Sequence, residues 1–307
     1  MPSIKVILLT LPLIFALGRS YSQPVSNRVS QYIRDTGASN IPEQLLKEVD
    51  ALEVIASGSL FFQDSLSQVR ARAYSLISRV GLQSKKVNVR QEAAYKLVQA
   101  SRNADGGNVG TLWSTLTRFN KEDFSSVAKD TLKSRFRQKP AHLNELLKLM
   151  GYLEMKDMTE EIRPLSLPGN TNKRDRWAAL LALARMGDAA SAQSLMQRVQ
   201  KLPVNDDVVY VVFPDLAYTR QPEAIGYMIT TLNSDEKNCL SADAENETAI
   251  PCAYRVMEQL ALVIEGYPLQ LDASGDVKTK DYVKALASVR NWIKGKGGNY
   301  KIKRDVF

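Results

Sequence analysis

The side chains that most often carry catalysis or metal binding are scarce in this sequence. Its 307 residues include one histidine, His142, and two cysteines, Cys239 and Cys252. A histidine-based metal site needs several imidazoles, and a Ser-His-Asp hydrolase would have to use His142. Because His142 follows Pro140 at the start of a predicted helix, a surface or capping role is the commoner one. We therefore expect no catalytic residue, no metal and no cofactor.

The chain carries an excess of positive charge, with a formal net charge of +8. Such a charge makes a nucleic acid or an anionic surface a partner to consider. The densest basic stretch, residues 294–304, is interrupted by three glycines, which predicts a flexible tail that touches an anionic envelope surface or aids solubility. Its few aromatic residues make a poor stacking platform, so a nucleic-acid partner is not expected.

The first 22 residues have the pattern of an export signal. Lys5 supplies the positive charge, and the apolar run 6–17 is shorter than the roughly 20 residues that span a bilayer. Small residues allow cleavage after Gly18 or after Ser22, of which we favour the second. An uncleaved anchor is the alternative. The sequence thus predicts a periplasmic or secreted protein with no membrane span in the mature chain.

Export favours a disulfide between Cys239 and Cys252, because the compartments outside the cytosol are oxidising. A bridge closing so short a loop contributes about 3 kcal/mol in the chain-entropy model. The enclosed segment 240–251 is polar and acidic and has no periodic apolar face, which predicts a loop that needs such a link. Two unpaired thiols are the alternative.

From residue 44 onward the apolar residues recur at intervals of three and four, which is typical of amphipathic helices. Strand-like alternation is nearly absent. The one β-rich run, residues 207–213, would favour a strand by its β-branched content. Because a lone strand would have no partner, we predict a buried helix there. Short connections predict that consecutive helices pack as antiparallel pairs.

Three of these helices share a pattern of an arginine, an alanine, an aliphatic residue and a small residue at i, i+3, i+7 and i+11. This spacing places all four on one helical stripe. The alanine allows a neighbouring helix to approach closely, and the aliphatic residue fills the layer between helix pairs. The small residue marks the end of the helix, where glycine adopts the left-handed capping conformation without strain. The three sets are Arg70, Ala73, Ile77 and Gly81; Arg90, Ala93, Leu97 and Ser101; and Arg176, Ala179, Leu183 and Gly187.

The segments 69–81, 89–94 and 174–188, which carry this pattern, resemble HEAT repeats of the short, PBS-lyase type. In that type the second helix begins with valine and arginine and ends near glycine and aspartate. The third segment matches best. The resemblance implies an all-α, armadillo-type fold: an α-α superhelix, or solenoid, of stacked antiparallel helix pairs. We expect it over residues 44–295, with a sub-block break at 163–173.

The rest of the domain organisation follows from this array. Residues 1–22 are the signal, residues 23–43 are a polar lead-in, and residues 296–307 are a basic C-terminal tail. The resemblance implies a scaffold that binds another protein along a concave helix face. The HEAT-like iron hydroxylases need several His-Glu pairs, which this chain lacks. HEAT-like DNA glycosylases use a carboxylate with aromatics, but Trp177 next to Asp175 is more simply a core residue of the repeat.

Arg70, Arg90 and Arg176 are the candidate binding residues, since they recur at one helical position. One interpretation is a row of cations on the concave face that binds an acidic ligand. The other is hydrogen bonding between repeats, to helix-end carbonyls or to acids such as Asp175 and Asp188, which is commoner in repeat proteins.

The leading hypothesis is an exported, non-catalytic interaction protein that binds a partner through the concave face or the Cys239–Cys252 loop. An exported helical enzyme acting on polysaccharide or peptidoglycan is the second hypothesis, and a binder of anionic polymer is the third.

Overall fold

The computed structural model describes residues 23–35, 37, 40–241, 248–272 and 277–307. The predicted signal, residues 1–22, and the acidic loop residues 242–247 lie outside the described residues. The structure is 67% helix and 3% strand, and its helices pack against their sequence neighbours. The predicted all-α class is therefore confirmed, and the packing is consistent with a helical repeat array.

Fourteen α-helices occupy the described ranges. In the N-terminal half they are α1 (Val25–Arg34), α2 (Ala51–Ser59), α3 (Ser67–Gln83), α4 (Val87–Ala100), α5 (Gly106–Leu116), α6 (Ser126–Arg137) and α7 (Leu143–Tyr152). In the C-terminal half they are α8 (Thr159–Ile162), α9 (Lys173–Arg185), α10 (Ala189–Val199), α11 (Phe213–Thr219), α12 (Pro222–Leu232), α13 (Ala253–Val263) and α14 (Tyr282–Lys296). Two short antiparallel strands, β1 (Cys239–Leu240) and β2 (Ala249–Ile250), flank the loop that the disulfide closes.

Helix starts are set by short polar side chains that accept a hydrogen bond from the first turn, where backbone N–H groups have no partner within the helix. The side chain of Asp105 accepts from Asn108 N at the start of α5, and that of Asn172 accepts from Asp175 N at the start of α9. Ser125, Asp188 and Asp281 do the same for α6, α10 and α14.

The helices form a layered stack in which α7, α9, α11 and α13 pack in succession, with α10, α12 and α14 against them. The stripe positions that sequence predicted are its core: Ala73, Ile77, Ala93, Leu97, Ala179 and Leu183 are all completely buried. The contact between α7 and α9 is extensive and spans the segment 163–173, in which residues 163–166 also pack on α9. Among the described residues, no helix has the length and apolar content that crossing a bilayer requires.

Two glycines of the stripe have different roles. Gly187 has a φ of +94° and ends α9 as predicted, with its N–H bonded to Ala184 O. Gly81 does not end its helix, because α3 continues to Gln83. A side chain at Gly81 would instead collide with Ala93 of α4 and lie 3.0 Å from the ring of Phe119. The prediction of a left-handed cap at Gly81 was therefore wrong, and close helix packing is the reason for this glycine.

The β-rich run is helical, as predicted, but only partly buried. Residues Val208–Val212 form a π-helical turn that leads into α11, with Phe213 N bonded to Val208 O. Pro214 explains this turn, because proline has no N–H to donate and its ring crowds the carbonyl four residues back. Val208 and Val209 face the core, whereas Tyr210 and Val211 are 52% and 67% exposed. The expectation of a wholly buried helix was wrong at these two positions.

Both ends of the described chain pack on the stack. In the predicted polar lead-in, α1 buries Val29 and Ile33 completely against the core. At the other end, residues 300–307, which we call the strap, lie against the ends of several helices instead of extending away as a flexible tail. Ile302 of the strap forms an isolated β-bridge with Ile264, which follows α13.

Candidate functional site

The arginine of the first repeat pattern is held in contacts within the chain. Arg70 donates to Asp64 O at 2.6 Å and, through Nη2, to Asp105 Oδ2 at 2.9 Å. Its side chain is only 14% exposed. The hydroxyl of Ser67 first, and then the N–H of Asn108 and Arg70, hold the pKa of Asp105 at about 2. Arg70 thus joins the start of α3 to the start of α5.

The arginine of the second pattern has equivalent contacts. Arg90 Nε donates to Asp123 Oδ1 and its Nη2 donates to Glu122 Oε1, both at 2.8 Å. Its Nη1 donates to Lys85 O at 3.1 Å, in the turn before α4. The Asp123 side chain is 1% exposed and also accepts from Asn120 N. These contacts join the start of α4 to the segment 120–123 that precedes α6.

The third arginine breaks this series. Asp188, which would be the matching acid for Arg176, accepts from Arg163 Nη1 at 2.9 Å. Asp175 accepts from the side chain of Asn172 at 2.6 Å. The structure therefore pairs neither expected acid with Arg176, which is partly buried. The assignment of Arg70, Arg90 and Arg176 to a binding face stays a prediction.

A polar bridge connects three neighbouring helices near Arg176. Trp177 Nε1 of α9 donates to Asp215 Oδ2 of α11 at 2.6 Å, and Lys148 Nζ of α7 donates to Asp215 Oδ1 at 2.6 Å. Trp177 also packs against the core, which agrees with its interpretation as a core residue of the repeat. Asp215 is thereby occupied with structural contacts.

An exposed apolar surface lies where α13 meets the π-helical turn. We call Tyr210, Val211, Arg255 and Leu262 the Tyr210 patch. The guanidinium of Arg255 lies 5.3 Å from the centroid of the Tyr210 ring, and Gln259 donates to Val209 O at 2.7 Å. Leu262 is 53% exposed and shares a face of α13 with Arg255, seven residues before it. The patch combines an aromatic, two aliphatic side chains and a cation.

Cys239 and Cys252 form a disulfide, as the sequence predicted. Both cysteines are buried, and the bridge joins β1 to the start of α13. Leu240 N donates to Asp206 Oδ2 at 2.8 Å, which fixes β1 against the segment before the π-helical turn. The disulfide is consistent with an oxidising compartment.

The strap begins on α13 and crosses the end of α11. Lys303 N donates to Val263 O at 2.8 Å, and Glu265 N donates to Lys301 O at 2.9 Å. Arg220, which follows α11 with a φ of +54°, donates from Nε to Lys303 O at 2.8 Å. Its Nη2 donates to Phe307 O at 3.1 Å, and its Nη1 bonds Ala217 O. One arginine therefore binds main-chain oxygens from both ends of a five-residue stretch of the strap.

The strap then reaches the ends of α9 and α7. Arg185, in the last turn of α9, donates from Nη2 to Arg304 O at 3.1 Å and to Val306 O at 2.6 Å. Tyr152 Oη lies 3.1 Å from Asp305 O. The strap thus lies across the carboxyl ends of four successive helices of the stack, where backbone carbonyls have no partner within the helix.

Arg185 and Arg220 are buried cations. They are 0% and 2% exposed, and burial lowers the pKa of both. Their described hydrogen bonds go to main-chain oxygens, and no Asp or Glu side chain contacts either of them among the described residues. The negative ends of α9 and α11 and the strap's main chain therefore compensate two buried cations.

Two tyrosines enclose Arg185 and meet the strap. The guanidinium lies 5.4 Å from the centroid of the Tyr152 ring and 4.9 Å from that of Tyr218. Burial raises the pKa of Tyr152 to about 12 and that of Tyr218 further, so both phenols stay neutral. Phe307 contacts both rings, with centroids 5.7 Å from Tyr152 and 5.2 Å from Tyr218.

An ion pair of the strap lies beside this aromatic cluster. Arg304 donates to Glu154 Oε1 from Nη2 at 3.0 Å and from Nε at 3.2 Å. Lys121 Nζ donates to the same oxygen at 2.9 Å. Burial opposes ionisation of Glu154, but these bonds outweigh it and lower the pKa of the carboxyl. We call Tyr152, Glu154, Arg185, Tyr218 and Arg220 the strap groove.

The strap groove is not recognisable from the sequence. One signal was present, because Arg185 ends an otherwise alanine- and leucine-rich segment, residues 178–184, that is entirely buried. His142 lies at the predicted helix start, before α7, with its ring 3.4 Å from the Glu145 carboxylate. Within the described ranges, no three His, Cys, Asp or Glu side chains converge closely enough to hold a metal ion.

The chain is thus a mostly α-helical array of sequentially packed helix pairs with a disulfide. No family model, no curated protein and no solved structure matches this chain.

Proposed function

We propose that this chain is an exported protein-interaction module of the HEAT-like class with no catalytic role of its own. The sequential helix pairs and the buried stripe of alanine and aliphatic residues support the repeat class. The Cys239–Cys252 disulfide supports an oxidising destination. The export-signal pattern of residues 1–22 supports transport of the chain to that compartment.

The Tyr210 patch carries this proposal. Tyr210, Val211 and Leu262 are all more than half exposed, although their side chains are apolar or aromatic. Arg255 stacks on Tyr210 and forms no ion pair with the described residues. Tyrosine and arginine are among the residue types most enriched where protein partners bind tightly. The partner that fits is a protein surface with an apolar centre and a carboxylate for Arg255.

Site-specific photocrosslinking tests this function. A photoreactive amino acid at position 211 is expected to give discrete adducts with an envelope protein of the source cell. The matched control is position 127, in α6, where Val127 is 54% exposed but lies outside the patch. Leu262→Ser should reduce the adducts at 211 without changing the melting temperature, since that side chain is largely exposed. Adducts at neither position, or equally at both, would contradict a role for the patch.

A further inference from the structure

We propose that the strap groove is a binding site for an extended peptide, and that the strap occupies it as a displaceable intramolecular ligand. The partner is a protein segment with an arginine three residues before an aromatic side chain. This inference concerns a different surface from the Tyr210 patch and stands independently of the proposed function.

The groove recognises backbone more than side chain. Arg185, Arg220 and Tyr152 contact main-chain oxygens of strap residues 303–307 and no strap side-chain oxygen. A carbonyl oxygen is present in every residue of any extended chain. The same donors would therefore bind another segment of similar course, as in other modes of peptide recognition that rely on the main chain.

Two further contacts select side chains. Glu154 accepts two hydrogen bonds from the Arg304 guanidinium, and the Phe307 ring rests against Tyr152 and Tyr218. Together they define a cation followed three residues later by an aromatic ring. Asp305 contributes its main chain, so its side chain is not part of the pattern.

The last two residues of the strap are held by less apolar burial than Tyr300 and Ile302, which pack against the core. Val306 and Phe307 remain 42% and 41% exposed, so little apolar burial holds them. The chain between α14 and the strap contains Gly297 and Gly298, with φ values of +55° and +86°. Glycine adopts other conformations there at little cost, which makes the connection a hinge. The buried cations of the groove, in contrast, belong to fixed helix ends and would be uncovered by departure of the strap.

An intramolecular ligand competes at an effective concentration near the millimolar range. Weakening the strap should therefore raise the apparent affinity for a peptide added in trans, because a larger fraction of the groove is open. A strap that is merely part of the fold predicts no such gain. This contrast separates the two cases.

Fluorescence anisotropy on the full chain provides the test, with a labelled synthetic peptide of residues 300–307 as the probe. Arg304→Ala and Phe307→Ala should each bind the peptide about tenfold more tightly than the unmodified chain. Lys301→Ala is the matched control, because Lys301 is exposed and contacts the stack through its main chain. It should bind as the unmodified chain does.

A substitution in the groove tests whether Glu154 selects the arginine of the peptide. Glu154→Gln in the Arg304→Ala background should lower the affinity for the probe. The same change should not alter the affinity for a peptide with alanine in place of its arginine. A thermal melt of every variant confirms that the stack is folded, and Arg304→Ala remains informative if Phe307→Ala does not fold.

Two outcomes would overturn the proposal. Equal or undetectable peptide binding by the unmodified, Arg304→Ala and Phe307→Ala chains would show that the strap is a fixed part of the fold. A dimer of the unmodified chain that dissociates in Phe307→Ala would show that the strap exchanges with a second copy, and not with a partner protein.

Discussion

The close approach of α7 and α9 makes Gly151→Ala strongly unfavourable. A Cβ at position 151 would lie 2.7 Å from the Cα of Ala182 and 3.0 Å from its Cβ, and it would also collide with the hydroxyl of Tyr218. Because the nearest of these carbons is backbone, the two helices must separate. Overpacking of this kind costs about 3 kcal/mol at the upper end of its usual range, against about 1 kcal/mol gained from the helix propensity of alanine. We expect a net loss of about 2 kcal/mol.

Gly226→Ala is the matched control, since Gly226 lies inside α12 with nothing within 4 Å of the added carbon. It should stabilise the chain by about 1 kcal/mol, so the two variants should differ by about 3 kcal/mol. Urea unfolding of the oxidised protein, followed by circular dichroism, measures both. If Gly151→Ala unfolded at or above the midpoint of the unmodified chain, the described packing of α7 on α9 would be refuted.

Three further perturbations test the site and its electrostatics. Replacing Cys239 and Cys252 with serine should lower the free energy of unfolding by about 3 kcal/mol, as measured by urea unfolding. Thiol titration of the unmodified, unreduced protein under denaturing conditions should find no free thiol at these two cysteines. Asp123→Ala leaves the Arg90 guanidinium without its buried acid and should cost about 2 kcal/mol. Glu122→Ala, at an exposed acid, should change stability by less than about 1 kcal/mol. The pKa of Asp105 is about 2 in the folded chain and 3.8 in the unfolded chain, so its contribution to stability is complete above pH 3.8 and is lost as the pH falls toward 2. Asp105→Asn should flatten the dependence of the unfolding free energy on pH in that range. An unchanged dependence would count against the Ser67 and Arg70 contacts.

Most of the helix positions could be predicted from sequence because their signals are local. Helices α10, α13 and α14 all lie in the part of the chain, from residue 44 onward, where apolar residues recur at intervals of three and four. Apolar periodicity and polar first-turn residues lie within a few positions of each other, so they require no knowledge of the tertiary structure. The disulfide was predictable because the chain contains only two cysteines.

The roles of single residues within those helices were less predictable. Gly81 has the same place in the repeat pattern as Gly187, but it serves close packing against α4 and Phe119 instead of a helix end. Arg176 has the same place as Arg70 and Arg90, yet its expected acid, Asp188, binds Arg163. A position in a pattern specifies the face of a helix, whereas the neighbouring helix specifies what that face contacts.

The helical class, the buried stripe, the pairing of Cys239 with Cys252 and the basic character of the last residues follow from the amino-acid sequence alone. The ordering of these last residues as a strap across the helix ends depends on the tertiary structure. Arg185 and Tyr152 meet the strap across 121 and 153 positions of the chain. A run of lysines, arginines and glycines looks flexible when read alone. It becomes ordered because distant helices end side by side and present buried cations to its carbonyl oxygens.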